Sequence, residues 1–368
     1  MRINVAGSNL SKRRTLFSAN AGLPERILFS PLIPFSVIYG LIMRARATYY
    51  SNPERQESLP VPVISIGNLN IGGSGKTPVS IACAKLLSEM GRKVAVISRG
   101  YRRKNEKTIA IVSDGERILL SPKESGDEPQ MVAKRLPGII VAVGANRAEA
   151  ARLAIEEQGV DAIVLDDGFQ HMKLSRDLNI VVIHGEQAFG SGWPLPRGPL
   201  REFPSALRRA SLIVINTTVG EKPELIDRLR KLQAPVPPLR FKYQISGLYS
   251  PDGTPGPFVT ELKGVRVAAF AGTADPESFF GFLNRYGISI ATRIGFRDHH
   301  WYTEKDFEML AEISARVGIE YIITTEKDGV KIPENLPAAM PPILIAKVDA
   351  KFENEDLIAL TKRLEALG

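Results

Sequence analysis

The stretch VPVISIGNLNIGGSGKTPVSIACAKLLSEMG, residues 61–91, constrains this chain more than any other. Val63 to Ile66 is a short β-branched run with the pattern of a buried parallel strand, and from Thr77 the apolar residues Val79, Ala82, Leu86 and Leu87 recur at helical spacing. Between them a glycine-rich turn, Asn70 to Gly75, runs into Lys76 and Thr77. Strand, glycine loop and helix in that order form a phosphate cradle. The backbone N–H groups around Asn70, Gly72, Gly73, Ser74 and Gly75 converge on phosphate oxygens, and the helix N-terminus adds positive dipole. Lys76 reaches the outer phosphates and the Thr77 hydroxyl can hold Mg²⁺. The pattern departs from G-x-x-x-x-G-K-[ST] at its first position, held here by Asn70; asparagine tolerates left-handed backbone, so the loop is expected to close. The competing reading is a glycine turn that binds nothing.

Length and composition set the frame for that loop. The 368 residues have room for two ordinary domains, and 44% hydrophobic with 24% charged residues is the balance of a soluble globular chain. The single cysteine, Cys83, excludes an intramolecular disulfide and fits a reducing compartment as a small core residue. Of the formal charge of +8, the first sixty residues carry a large part, eight Arg/Lys against three Glu, which points to an anionic surface or substrate near that end. Residues 1–25 read as a loose extension, and the Lys12-Arg13-Arg14 cluster is not followed by a signal-peptide pattern, so a cytosolic-facing protein is expected. From Ile27 to Met43 no residue is charged, yet Pro31, Pro34 and Gly40 break the run. It is shorter than the roughly 20 residues a bilayer-spanning helix needs. A helix from Pro34, with Phe35, Ile38, Tyr39 and Ile42 on one side and Arg44 and Arg46 at its end, either lies in a membrane interface or packs on the core.

Beyond the loop the chain alternates strands and helices. Lys93 to Ile97, Gly138 to Val143, Asp161 to Leu165, Asn179 to Ile183 and Leu212 to Asn216 read as strands. The second of the series that starts at Val63 ends in the cationic Ser98-Arg99-Gly100-Tyr101-Arg102-Arg103-Lys104, a candidate anion clamp or a solvated loop. Gly126-Asp127-Glu128-Pro129 opens a helix, where carboxylates often only cap. The strand at Asp161 to Leu165 runs into Asp166-Asp167-Gly168-Phe169-Gln170-His171, and an acidic pair at a strand end downstream of a phosphate loop suits Mg²⁺. Pro- and Gly-rich residues 192–202 form a shaped loop carrying Arg201 and Glu202, directed at the site or paired on the surface. After the proline-rich residues 234–239, Phe241 to Leu248 and Phe258 to Leu262 suggest a two-stranded linker, and a second α/β unit follows from Val265 to a closing helix from Asn354. In it, Phe296-Arg297-Asp298-His299-His300 holds two of the four histidines beside an aspartate that could be a cap, and Thr324-Thr325-Glu326-Lys327-Asp328 ends a strand, touching a nucleotide base or capping a turn.

Taken together and in this order, GNLNIGGSGKTP, SRGYRRK, GDEP, DDGFQH, RGPLRE, FRDHH and TTEKD resemble the tetraacyldisaccharide 4'-kinase family, the lipid A 4'-kinases of Gram-negative bacteria, from about residue 26 to the C-terminus. The glycine loop without its first glycine is that family's own pattern. The resemblance implies an α/β fold with a mainly parallel, P-loop-type sheet and a second, smaller α/β domain joined by a two-stranded linker, with the active site in the cleft. The expected boundaries are 1–25 for an extension, 26–235 for the helix and kinase domain, 236–263 for the linker and 264–368 for the smaller domain. It implies phosphoryl transfer from ATP to the 4'-hydroxyl of tetraacyldisaccharide 1-phosphate at the cytoplasmic face of the inner membrane, giving the 1,4'-bisphosphate. By the same resemblance Lys76 neutralises the β- and γ-phosphates, and Thr77 with Asp166 and Asp167 holds Mg²⁺. Asp127 takes the hydroxyl proton with support from His299, chosen over His300 on motif position. Arg201 stabilises charge on the migrating group, while Gln170 and Glu202 are further metal or substrate contacts. A lipid substrate and a membrane surface are the expected partners, with no nucleic acid and no obligate protein. Two other classes fit less well: a membrane-binding partitioning ATPase would carry a lysine where Ile71 stands, and a ligase of the dethiobiotin-synthetase type is disfavoured by the second domain and the lipid-facing N-terminus.

Overall fold

The structure is a computed structural model that describes residues 2–4 and 29–367. The Lys12-Arg13-Arg14 cluster, most of the extension and the start of the uncharged run lie outside the described residues. Among them, in chain order, are β1 (Arg2–Asn4), α1 (Ile33–Tyr49), β2 (Val63–Gly67), α2 (Lys76–Glu89), β3 (Val94–Ser98), β4 (Ala110–Ser113), α3 (Pro122–Ser125), α4 (Asp127–Arg135) and β5 (Ile140–Val143). Then come α5 (Arg147–Gln158), β6 (Ala162–Asp166), β7 (Leu178–His184), β8 (Leu212–Asn216), α6 (Leu225–Lys231) and β9 (Leu239–Tyr249). The rest is β10 (Val267–Ala271), α7 (Pro276–Arg285), β11 (Ile290–Gly295), α8 (Glu304–Val317), β12 (Tyr321–Thr325), α9 (Glu326–Gly329), β13 (Ile343–Phe352) and α10 (Asn354–Glu365). Two compact units result: residues 29–243 with 350–367 form the larger, and residues 2–4 with 244–349 the smaller.

In the larger unit the strand order is β9-β8-β7-β2-β6-β3-β5-β4, parallel throughout except for β4 against β5. Strand β2 is buried at every position because it pairs with β6 on one side, Ile64 opposite Val164, and with β7 on the other, Ile64 opposite Leu178. A strand covered on both faces has no solvent side to encode, which is why it reads as a continuous apolar run. One face carries Ile64, Ile66, Val94, Val96, Val141 and Val164 and packs under α2 and α4 through Val79, Cys83, Leu87 and Val132. The other face packs Val63, Ala95, Ile97 and Ile163 under the small-residue face of α5, Ala148, Ala150, Ala151 and Ala154. The winding reverses beside β2, since β3 to β6 lie to one side and β7 to β9 to the other. Open α/β sheets place their ligands at such a switch point, outside the carboxyl ends of the strands.

In the smaller unit β1, β11, β10, β12 and β13 follow one another in that order, each parallel to the next. Its core is aromatic, with Phe270, Phe296, Tyr302 and Phe307 in edge-to-face or tilted contact. Helix α8 begins with a capping box of Thr303 and Asp306 and stops at Gly318 in left-handed backbone.

Three sequence expectations are corrected here. Residues 2–4 are not loose but lie as a parallel edge strand beside β11. Val259 to Leu262 is a 3₁₀ turn rather than a strand: Pro255 and Pro257 lack donors, Glu261 accepts the Phe258 N–H, and Phe258 is 77% exposed. The strands that carry the chain between the units are β9 and β13 instead. The closing helix α10 belongs with the larger unit, because Leu360 and Leu364 are buried in the core that holds α2. Finally, β4 had no counterpart in the sequence reading; its four residues are too few to show a period.

The placement of α10 predicts that Leu360→Ala, at a fully buried position, lowers the stability of the larger unit by about 2–5 kcal/mol. Denaturant unfolding of the intact chain measures it, and a loss under about 0.5 kcal/mol, the range of surface substitutions, contradicts the assignment.

Candidate active site

The glycine loop leaves β2 and closes on α2, whose first turn is Lys76, Thr77 and Pro78. Gly75 precedes that helix with φ of +102°, and a Cβ there would stand 2.7 Å from the Phe241 ring and 2.9 Å from the Tyr243 hydroxyl. Only glycine fits both the backbone and the space. At Gly72 and Gly73, by contrast, a Cβ would meet nothing within 4 Å, so the rim of the loop is open. Asn68 organises the interior. Its amide donates to Ser74 Oγ at 2.9 Å and its oxygen accepts from Lys76 Nζ at 3.2 Å.

Asn70 closes the loop differently from expectation. It is not among the residues with left-handed backbone; its side chain donates to the Ala188 carbonyl at 3.0 Å. The main chain beside it pairs with the 192–202 loop: Ile71 N–H donates to Pro199 O at 2.8 Å and Arg201 N–H to Leu69 O at 2.7 Å. Residue 70 thus needs a side chain that reaches across, which glycine lacks.

The acidic pair at the end of β6 divides into two environments. Asp166 is 2% exposed and accepts from Thr77 Oγ1 at 3.1 Å and Ser80 Oγ at 2.8 Å. Burial pushes its carboxyl up to about 6, with the neighbouring Glu128 and Asp167 charges adding and the Ser80 bond opposing. Asp167 takes left-handed backbone, φ +55°, and turns to the cations. Arg201 Nη1 donates to both its oxygens at 2.8 Å, and Lys76 Nζ lies 3.6 Å away. Burial pushes Asp167 up as well, but Lys76 and Arg201 outweigh it and hold the group below the ordinary carboxylate range.

Arg201 and Glu202 do not pair with each other. Arg201 also donates to Gln170 Oε1 at 3.2 Å, while the buried Glu202 accepts from Gln170 Nε2 at 3.2 Å and Arg209 Nη2 at 2.8 Å. Gln170 is thereby the hinge between the DDGFQH turn and the 192–202 loop. Asp127 is the first residue of α4, buried, with Oδ1 accepting the Glu128 N–H at 2.9 Å. His299 belongs to the smaller unit, in left-handed backbone with φ +60°.

Residue reasoning missed five participants in the larger unit. Asn68, Ser80 and Glu128 touch the loop or act on Asp166 as described. Arg147 opens α5, nearly buried; burial and the Arg99 charge lower it to about 10, and its charge acts on both aspartates. His171 is pushed down to about 4 by burial together with Arg147, Arg176 and Arg46, and its Nε2 meets no hydrogen-bond partner among the described residues. Arg147 thus brings a cation to the acidic pair from a segment far away in sequence, with His171 beside it as a neutral imidazole. Only the position of Arg147 at a helix start and of His171 at the end of DDGFQH hinted at it.

For a divalent cation the fit is partial and of the right chemistry. Thr77 and Asp166 offer hard oxygen donors side by side, and the raised Asp166 is a carboxylate that a cation would relieve. Among the described residues no three His, Cys, Asp or Glu side chains are grouped to hold a metal. Thr77 and Asp166 would leave most of the coordination of a Mg²⁺ ion to phosphate and water.

Comparison with known proteins agrees with this geometry. Residues 28–365 match the family described as Tetraacyldisaccharide-1-P 4'-kinase. The tetraacyldisaccharide 4'-kinase of Pelobacter propionicus is 40% identical over 334 residues, 89% of this chain and 90% of that one. The tetraacyldisaccharide 4'-kinase of Geobacter sulfurreducens is also 40% identical, over 89% of this chain and 91% of its own. The crystal structure of LpxK from Aquifex aeolicus in complex with ATP superposes with a TM-score of 0.73 at 32% identity, covering 92% of this chain and 99% of that one. On matches of this extent, around a phosphate loop with its acidic pair, the chain belongs to the tetraacyldisaccharide-1-P 4'-kinase family, the enzymes of the 4'-phosphorylation step of lipid A biosynthesis.

Proposed function

We propose that the chain binds ATP with Mg²⁺ at the loop of residues 70–77 and transfers the γ-phosphoryl group to the 4'-hydroxyl of tetraacyldisaccharide 1-phosphate at a membrane surface. The observation that carries this reading is the junction of Lys76, Thr77, Asp166, Asp167 and Arg201 around an open glycine loop. Phosphoryl transfer asks mainly for positioning and charge neutralisation. Lys76 and the start of α2 meet the phosphates. Thr77 and Asp166 would hold Mg²⁺, and the ion would supply charge neutralisation for the phosphates. Arg201 is kept in place by Asp167 and Gln170 until anionic charge competes for it. Gln170 and Glu202 serve here by fixing Arg201 and Arg209. Asp127 is assigned the hydroxyl proton, and His299 a supporting role in its transfer.

Contact with a membrane follows from α1. Its small residues Ser36 and Gly40 face inward: Ser36 Oγ accepts the Arg197 N–H at 2.8 Å, and a Cβ on Gly40 would overlap the Phe203 ring. Its large residues face out, with Phe35, Ile38 and Ile42 at 62%, 56% and 60% exposure. Tyr39, expected on that apolar side, is half-buried instead. No described helix is long and apolar enough to cross a membrane. A helix that hides small residues, shows large apolar ones and ends in Arg44 and Arg46 suits the interface of an anionic bilayer. The proposed location is therefore the cytoplasmic face of the bacterial inner membrane, peripheral or monotopic.

Three outcomes are expected. Asp127→Ala lowers kcat by about 10²- to 10⁴-fold with ATP affinity kept, measured by lipid phosphorylation beside ATP titration; near-normal kcat overturns the role. The triple variant Phe35→Ser, Ile38→Ser, Ile42→Ser loses at least about tenfold in vesicle partitioning, read by flotation with phosphatidylglycerol-containing vesicles, and unchanged flotation excludes α1 as the contact. The third concerns pH. In metal-free protein the fold holds the Asp166 proton more tightly than the unfolded chain does, so stability falls as pH rises from about 4 to about 6. Asp166→Asn in EDTA is then more stable than wild type at pH 8 by about 1–3 kcal/mol, and loses that advantage near pH 4. An Asn variant less stable than wild type at pH 8 would refute the buried-charge account.

A further inference from the structure

The motif TTEKD was left without a role by the phosphate chemistry, and in the smaller unit it surrounds His299. Lys327 Nζ lies 3.2 Å from His299 Nε2 and 3.2 Å from Asp298 Oδ1. The Lys327 and His299 side chains are only 16% and 13% exposed. Asp298 is thus no helix cap, since Thr303 caps α8; its oxygen holds the ammonium, and at 3.8 Å it is too far to bond His299 Nε2 itself.

We propose that Lys327 is the positioning residue of His299, holding the imidazole with its lone pair on Nε2 and its proton on Nδ1. An ammonium has three donors and no acceptor, so the ring nitrogen it contacts must accept. The bond made by one ring nitrogen then decides which nitrogen carries the proton. Histidine free in water favours the opposite tautomer, with the proton on Nε2, so the arrangement is imposed by the fold.

The same turn fixes the main chain. His299 N–H donates to Gly272 O at 3.1 Å, which anchors the left-handed backbone. Gly272 N–H donates to Asp328 Oδ2 at 2.9 Å, and Asp328 also accepts from Thr325 Oγ1 at 2.7 Å and from Lys331 Nζ at 2.9 Å, both charged partners being wholly buried. A Cβ at Gly272 would come within 2.9 Å of Asp328 Oδ1 and of the Tyr302 hydroxyl. Lys327 therefore grips the ring, and Asp328, one residue on, grips the backbone. His300 is directed elsewhere, stacked on Phe296 with Nε2 3.0 Å from Asp306 Oδ2. What this deepens is the supporting role given to His299 above, and in that sense it rests on that reading.

The test is a long-range ¹H–¹⁵N correlation spectrum of the full chain labelled with ¹⁵N-histidine, with His299 assigned by His299→Gln. Wild type shows an unprotonated Nε2 and a protonated Nδ1 near neutral pH; a protonated Nε2 overturns the proposal without any variant at Lys327. Lys327→Met moves the proton toward Nε2, and Lys327→Arg restores the wild-type pattern. An unchanged pattern in Lys327→Met also overturns it, because a purely structural lysine would leave the tautomer alone. Lipid phosphorylation separates the two readings. A fall in kcat of up to about 100-fold with KM for ATP unchanged supports both. A tautomer change with kcat unaltered supports the placement by Lys327 and removes His299 from the proposed chemistry.

Discussion

A carboxylate with almost no water around it, Asp166 at the end of β6, is the constraint from which the larger unit's site follows. Its two oxygens are held by Thr77 and Ser80, one on the first turn of α2 and one on the next, so it locks the strand beside β2 to the helix that the glycine loop feeds. An ionised carboxyl is costly to bury, which is why the group is pushed up to about 6. Its neighbour Asp167 leaves the strand in left-handed backbone and meets Lys76 and Arg201. Two adjacent and chemically identical residues are thereby separated into a carboxylate that lacks a cation and one that already holds two. That asymmetry is what the proposed binding of a metal-bound polyphosphate rests on.

Most of the larger unit was legible because its signals are local. A β-branched run, glycines and helical spacing lie within thirty residues of one another, and an apolar strand ending in acids announces itself. The residues that were not legible act through tertiary contacts. Asn68 needs the loop to fold back before its amide reaches Ser74 and Lys76. Arg147 comes within electrostatic reach of Arg99 and of His171 only when the segments after β3, β5 and β6 reach the same end of the sheet. Asn70 was read through its backbone tolerance, whereas the fold uses its side chain, a choice that only the position of Ala188 reveals. The 3₁₀ turn at Val259–Leu262 misled for a related reason: Phe258, Val259 and Thr260 are residue types that favour strands, but the prolines before them remove the donors that pairing requires.

The smaller unit shows how far a motif can be from its explanation. Asp298 before two histidines suggested a cap, and TTEKD suggested a nucleotide contact or a turn. The turn is real, with Thr325 capping α9, yet Lys327 also holds the His299 ring, and Asp328 holds Gly272, whose carbonyl accepts the His299 N–H. The outward apolar face of α1 is a similar case of pattern against context. Its composition was visible, but only the inward Ser36 and Gly40 show which side the protein keeps for itself.

The most direct test of the account is transfer of label from γ-labelled ATP to tetraacyldisaccharide 1-phosphate in detergent micelles, with wild type and Lys76→Ala assayed together. The account predicts a labelled bisphosphate lipid from wild type and none above background from Lys76→Ala. Release of labelled inorganic phosphate by wild type with no label in the lipid would contradict it, and would make the phosphate loop that of an ATPase.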